Sequence, residues 1–184
     1  MILAQLKIYI ALLEVDIINT KDLKMKTENF SINVDAVSGF CGVGEKWAKN
    51  AIENNKTPVL SCEGPCIRGE IARVAANMVA KKDSSCRRAC HGELFFVPHS
   101  SIATWIKESE TIIMIDGCFL KCHGRVLANL VSDRNILHID ASAIHKAYPD
   151  IFLYDDVPEA DRRKLAEKVA DKTISMLISR SSSP

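Results

Sequence analysis

The sequence predicts an α/β protein with a mostly parallel open sheet flanked by helices, and with N-terminal and C-terminal helices. Two stretches carry this reading. The apolar, β-branched run Ile112-Ile113-Met114-Ile115 reads as a buried strand that leads through Asp116 and Gly117 to Cys118 and Cys122 at the opening of a helix. Pro58-Val59-Leu60, the turn Cys62-Glu63-Gly64-Pro65-Cys66 and a helical pattern over residues 68–82 repeat that order of strand, thiol turn and helix. Two such units in one parallel sheet bring both thiol turns to its C-terminal edge, where open α/β folds bind ligands.

With 184 residues, of which 47% are hydrophobic and 26% charged, the chain can fill one core. The expected division is an N-terminal helical extension over residues 1–56 and a cysteine-rich α/β domain over residues 57–180. A net charge of +1 without a strong basic block argues against nucleic acid as the main partner. The apolar N-terminus is interrupted by Lys7, Glu14 and Asp16, whereas a membrane span needs about 20 mostly apolar residues, so no membrane partner is expected. The reading is of a soluble, cytoplasmic protein. In a reducing cytosol, clustered cysteines are metal ligands or redox groups more often than disulfides, and seven is an odd number to pair.

Leu3, Leu6, Ile10, Leu13 and Ile17 follow a helical seam. That stripe suits either the domain's own core or a homodimer contact. Residues 21–33 are a polar connection. The glycine-rich run 38–44, holding the unpaired Cys41, turns into a helix with Trp47 and Ile52 on one apolar face. In the helix over 68–82, Ile71, Val74, Ala75, Met78 and Val79 share a side.

Cys86-Arg87-Arg88-Ala89-Cys90 is the third C-x-x-x-C pair, in a polar segment with no helix expected directly after it. Leu94-Phe95-Phe96-Val97 reads as a strand stopped by Pro98. Ser100 or Ser101 caps a helix through Trp105 and Ile106. After Cys122, Val126, Leu127, Leu130 and Val131 are expected to face inward on a helix, and residues 135–140 form the next strand. Residues 158–178 are a closing helix with Leu165, Val169, Ile174, Leu177 and Ile178 at helical spacing, and residues 181–184 are expected to be disordered.

A thiol must lose its proton to bind zinc or attack an electrophile, and the positive end of a helix favours the thiolate. Cys62, Cys66, Cys118 and Cys122 are all expected at such ends, and tetrahedral zinc accepts C-x₂₋₄-C spacing. A structural zinc site contributes about 10–16 kcal/mol of apparent binding energy. Cys90 competes with Cys66 for a place, and Cys86 is the weaker candidate. His91 and His123 each follow a candidate ligand and suit a supporting role better than ligation. Asp116 suits capping of the N–H groups that follow it. Two rival readings use the same thiols: an enzyme handling redox, sulfur or a soft metal, and an iron–sulfur protein.

Ile115-Asp116-Gly117-Cys118 with Cys122, Ser61-Cys62-Glu63-Gly64 with Gly69 and its alanine-rich helix, and Ala89-Cys90-His91-Gly92 together resemble the DGC-domain family of zinc-binding proteins over about residues 58–131. The resemblance implies four zinc-chelating cysteines at Cys62, Cys90, Cys118 and Cys122, with Cys66 and Cys86 additional to the pattern. Spacing favours Cys66 over Cys90, so five thiols, Cys62, Cys66, Cys90, Cys118 and Cys122, are carried forward as the candidate metal site.

Overall fold

The computed structural model describes residues 29–35 and 37–182. The expected N-terminal helix with its homodimer stripe lies outside them, and so do residues 183–184. All regular elements described here belong to the unit Asp35–Pro184. In chain order they are α1 (Gly42–Glu53), β1 (Thr57–Ser61), α2 (Ile67–Lys82), β2 (Cys86–Arg88), α3 (His91–Phe96), α4 (Ser101–Glu108), β3 (Ile112–Asp116), α5 (Cys122–Leu127), β4 (Ile136–Asp140), α6 (Ala141–His145) and α7 (Glu159–Ser181).

The strands form one sheet in the order β2-β1-β3-β4, and every pairing is parallel. The strands β1, β3 and β4 have core on both faces, which is why β3 is a continuous apolar run rather than an alternating one. Val59, Ile113, Ile115, Leu137 and Ile139 pack against α2, α6 and α7. Leu60, Ile112, Met114 and Ile136 pack against α1, α3, α4 and α5. Pro58 fits in the central strand β1 because it faces only Arg87 of β2, and the ladder to β3 begins one residue later at Val59.

Small residues set how closely the helices approach. Ala72, Ala75 and Ala76 of α2 share a core with Ala166 and Ala170 of α7, and at the rim Lys82 Nζ donates to Glu167 at 2.8 Å and Asp171 at 2.7 Å. Ser100 is the residue that caps α4, accepting the Ala103 N–H at 3.1 Å.

Several local expectations are corrected. Residues 94–97 are not a strand: α3 turns one aromatic side outward, so Leu94 is buried while Phe96 is 52% exposed. Cys86–Arg88 is a strand and α3 follows it at once. Short edge strands carry charge without penalty, so its composition did not signal pairing. In α1 the buried face is Gly44, Ala48 and Ala51, and Trp47 and Ile52 are exposed. Trp47 instead lies under the Arg87 guanidinium, 3.6 Å from the ring centroid, and its Nε1 donates to the Arg88 carbonyl at 2.8 Å.

The helix after Cys122 ends at Leu127, its one large buried side chain, leaving Val126 and Leu130 exposed. At the other end of the chain α7 continues to Ser181, where disorder was expected, and its Ile178 is exposed. The short helix α6 went unread because its apolar pattern is only a turn and a half long. Asp140 caps it, accepting the Ala143 N–H at 3.0 Å.

His145, at the last turn of α6, is buried, and its Nδ1 accepts the Ala147 N–H at 3.0 Å. Burial, with Arg68 and Lys168 nearby, holds its imidazole below the ordinary histidine value, against the pull of Asp140. The unfolded chain therefore takes up a proton at about pH 6.5 that the folded chain resists, and stability falls as pH drops through that value. Urea unfolding midpoints between pH 7.5 and 5.5 are expected to fall less steeply for His145→Gln than for the parent.

Candidate functional site

The cysteine turns leave neighbouring strands. Cys90 follows β2, Cys62 and Cys66 follow β1, and Cys118 and Cys122 follow β3, and these three strands lie side by side. The β1 ladder carries on past its last residue, with the Cys62 N–H donating to the Ile115 carbonyl at 2.9 Å. The connection from β1 goes to β2 on one side while β3 lies on the other. The thiol turns of β1 and β3 therefore flank the point where strand order reverses, the ligand-binding crevice of doubly wound sheets.

Glycine brings the two turns together. A Cβ on Gly69, in the first turn of α2, would stand 2.3 Å from the Gly64 carbonyl oxygen. One on Gly117 would stand 2.8 Å from the Arg68 carbonyl carbon and 2.9 Å from the Gly69 nitrogen. No glycine among the described residues has a positive φ. Gly117 is thus required for backbone-to-backbone approach and not for the sharp turn that the sequence suggested.

The individual thiols differ. Cys66 is the N-cap of α2, its sulfur accepting the Gly69 N–H at 3.4 Å, and the Cys62 sulfur accepts the Gly64 N–H at 3.5 Å. Cys122 and Cys90 are exposed at the starts of α5 and α3. Cys118 is half-buried and precedes α5 by a turn, so the helix does not stabilise its thiolate as expected. Burial pushes this thiol up, the Leu120 N–H draws it down, and the neighbouring Cys122, Cys62 and Cys66 push it up further. Cys118 therefore senses the thiols of both turns.

Cys90 comes to the same edge by another route. His91 and His123 meet edge-on, with ring centroids 4.7 Å apart, which draws the start of α3 to the start of α5. Burial, and then His123, lowers His91 to about 4, so its ring is neutral at neutral pH. Cys86 is excluded by position. It begins β2 at the opposite edge of the sheet, lies in the core, and is pushed up to about 11 by burial. Among the described residues, no group of three or more His, Cys, Asp or Glu side chains is arranged to hold a metal ion.

Two polar supports surround the thiols. Asp116 is buried at the end of β3, and its Oδ1 accepts the Gly124 N–H at 3.3 Å, the capping role expected of it, which ties the strand end to the helix that Cys122 opens. Burial raises its carboxyl above the ordinary range, against the pull of Gly124, His123, His138 and Lys121. Beside β2, Arg88 donates to Val59 O at 2.9 Å, Ser61 Oγ at 2.9 Å and Glu63 Oε1 at 3.0 Å. Neither Arg88 nor His138 is among the site residues expected from the sequence. A basic residue at a strand end and a histidine inside an apolar strand were the signals present. A cleft of about 510 Å³, lined by Trp47, Glu63, Arg88, Cys90, His91 and Ile102 among others, opens on Cys90.

A family model described as the DGC domain matches residues 58–169, more than half of the chain. The chain belongs to the DGC-domain family. The matched DGC domain runs from β1 into α7 and contains all five candidate ligands. No curated protein and no solved structure matches the chain. Among the described residues, no helix is long and apolar enough to cross a membrane.

Two outcomes are expected. Gly117→Ala should lower stability by about 1–3 kcal/mol in urea unfolding, because the added methyl meets backbone that cannot turn aside, whereas Gly92→Ala, whose methyl would come no closer than 3.6 Å to the Cys90 sulfur, should not. In chelator at pH 8, alkylation followed by peptide mass mapping should modify Cys90 and Cys122 well before Cys86, with the difference lost on unfolding.

Proposed function

We propose that the DGC domain binds zinc through thiols gathered where the β1, β2 and β3 turns meet. The observation that supports this most is the placement of Cys62, Cys66, Cys118 and Cys122 on turns that leave two adjacent strands at one sheet edge. The neighbouring thiols oppose the ionisation of Cys118, and a divalent cation reverses that balance. The donor chemistry fits: sulfur suits zinc, and the Cys62 and Cys66 sulfurs already accept backbone N–H groups. Binding requires the side chains to turn inward from their present positions.

In this reading Cys62, Cys118 and Cys122 are the shared ligands, and Cys66 and Cys90 compete for the fourth place. Zinc supplies a cross-link between turns and, with a position left open, a Lewis acid. Asp116 orients the Cys122 turn through Gly124, and Arg88 with Glu63 steadies the end of β1. The free thiols suit a reducing compartment, and we place the protein in the cytoplasm on that ground. A second reading, thiol-dependent redox or sulfur chemistry, is favoured by the cleft that opens on exposed Cys90.

Elemental analysis of anaerobically purified protein tests the first reading. Cys118→Ser should lower thiol-bound zinc by about one ion per chain. Loss in only one of Cys66→Ser and Cys90→Ser identifies the fourth ligand. A metal-free parent that takes up no zinc overturns the metal reading. A Cys90 that cycles with reductant would then support the second.

A further inference from the structure

Behind the thiol turns, three buried polar atoms have no hydrogen-bond partner among the described residues: Asp116 Oδ2, His138 Nδ1 and His123 Nδ1. They belong to adjacent pieces of chain. Asp116 ends β3, His138 lies on β4 two positions before the residue paired with Asp116, and His123 adjoins Gly124 in α5. Gly124 marks the gap between the first two, for a Cβ there would stand 2.3 Å from Asp116 Oδ2 and 3.4 Å from His138 Nδ1.

The outer nitrogen of His138 sets the character of the inner one. Its Nε2 is 2.9 Å from Asp133 Oδ1 on the surface side. A carboxylate accepts, so Nε2 carries the ring proton and Nδ1 presents a lone pair to the gap. Asp116 Oδ1 is taken by Gly124 N–H, which leaves Oδ2 as a second acceptor facing the same space. Lone pairs facing one another across a buried gap require something electropositive between them. A proton or a water serves the two atoms that face the gap; a cation serves both and also takes a third ligand, for which the unpartnered Nδ1 of His123 stands on the residue next to Gly124.

We propose that Asp116, His138 and His123 form a second metal site, taking a divalent transition-metal ion through nitrogen and oxygen and separate from the thiols. Two imidazoles and a carboxylate suit zinc, cobalt, iron or manganese better than the softer ions that thiolates select. The carboxylate of Asp133 on the far nitrogen of His138 is the support that metal-bound histidines characteristically have. Since no three such side chains stand at holding separations now, the site closes on binding, with His123 turning from its edge contact with His91 to complete it.

Cobalt(II) titration of the full chain, read by absorption and by bound cobalt per chain, tests this without reference to activity. Cobalt on thiolate gives an intense ultraviolet charge-transfer band, and cobalt on nitrogen and oxygen gives only weak visible bands. The parent should take a second equivalent that adds no charge-transfer intensity. Cys118→Ser should keep that equivalent while losing the intense band, so failure of the thiol reading and failure of this one look different. His138→Ala should lose it and keep the intense band.

Asp133 is exposed, so Asp133→Asn should stay folded by circular dichroism while binding the second equivalent 10–100-fold more weakly, roughly the usual effect of removing such a support. The proposal is overturned if the parent takes no cobalt outside the thiolate band, or if Asp133→Asn and His138→Ala both bind as the parent does.

Discussion

The thiol edge depends on one steric fact: the backbones of two separate βα turns pass closer than a single Cβ permits. Gly69 lies against Gly64 and Gly117 lies against Arg68 and Gly69. Hydrophobic burial on both faces of the sheet brings β1 and β3 together, but it sets strand spacing and register only. The last few ångströms, which decide whether Cys62 and Cys66 can sense Cys118, come from the missing side chains. The two turns are held together by backbone contact, and the cysteines they carry are free thiols.

Charge at this edge is balanced locally. Arg88 ends β2, and its guanidinium donates to Glu63, Ser61 and the Val59 carbonyl while also lying close enough to Cys90 for their charges to interact. His91 is neutral because it is buried beside another histidine. The half-buried Cys118 is left among other sulfurs, a setting that opposes its ionisation. An environment that disfavours the Cys118 anion in this way is one that gains from a bound cation. Cys86 shows the contrast, since the same residue type at the opposite edge of the sheet is a core hydrophobe.

Asp116 joins strand, turn and helix. One oxygen anchors the helix that begins at Cys122, and the other faces the gap beside Gly124 and His138. A buried carboxyl at a strand end ordinarily has one capping duty. Here it stands between the turn that carries Cys122 and the His138 ring, so movement of either would be felt by the other.

What could be read in the sequence was local. The β3 run, the α2 and α7 periodicities, the Ser100 cap and the two units of strand, thiol turn and helix are each written within about 20 residues, and each formed where such short-range patterns direct it. The errors came where local pattern is ambiguous. Residues 94–97 are apolar enough for a strand or a helix, and Cys86–Arg88 is a strand only because β1 pairs with it. The sequence by itself determined the α/β class and that the Cys62–Cys66 and Cys118–Cys122 pairs follow strands, because apolar periodicity and turn residues act between neighbours. Tertiary structure alone decided that Cys86 faces away from the site, that Cys90 is drawn in through His91 and His123, and that Asp116 meets His138. Those outcomes depend on strand order and register, and these are set by contacts between residues far apart in the chain.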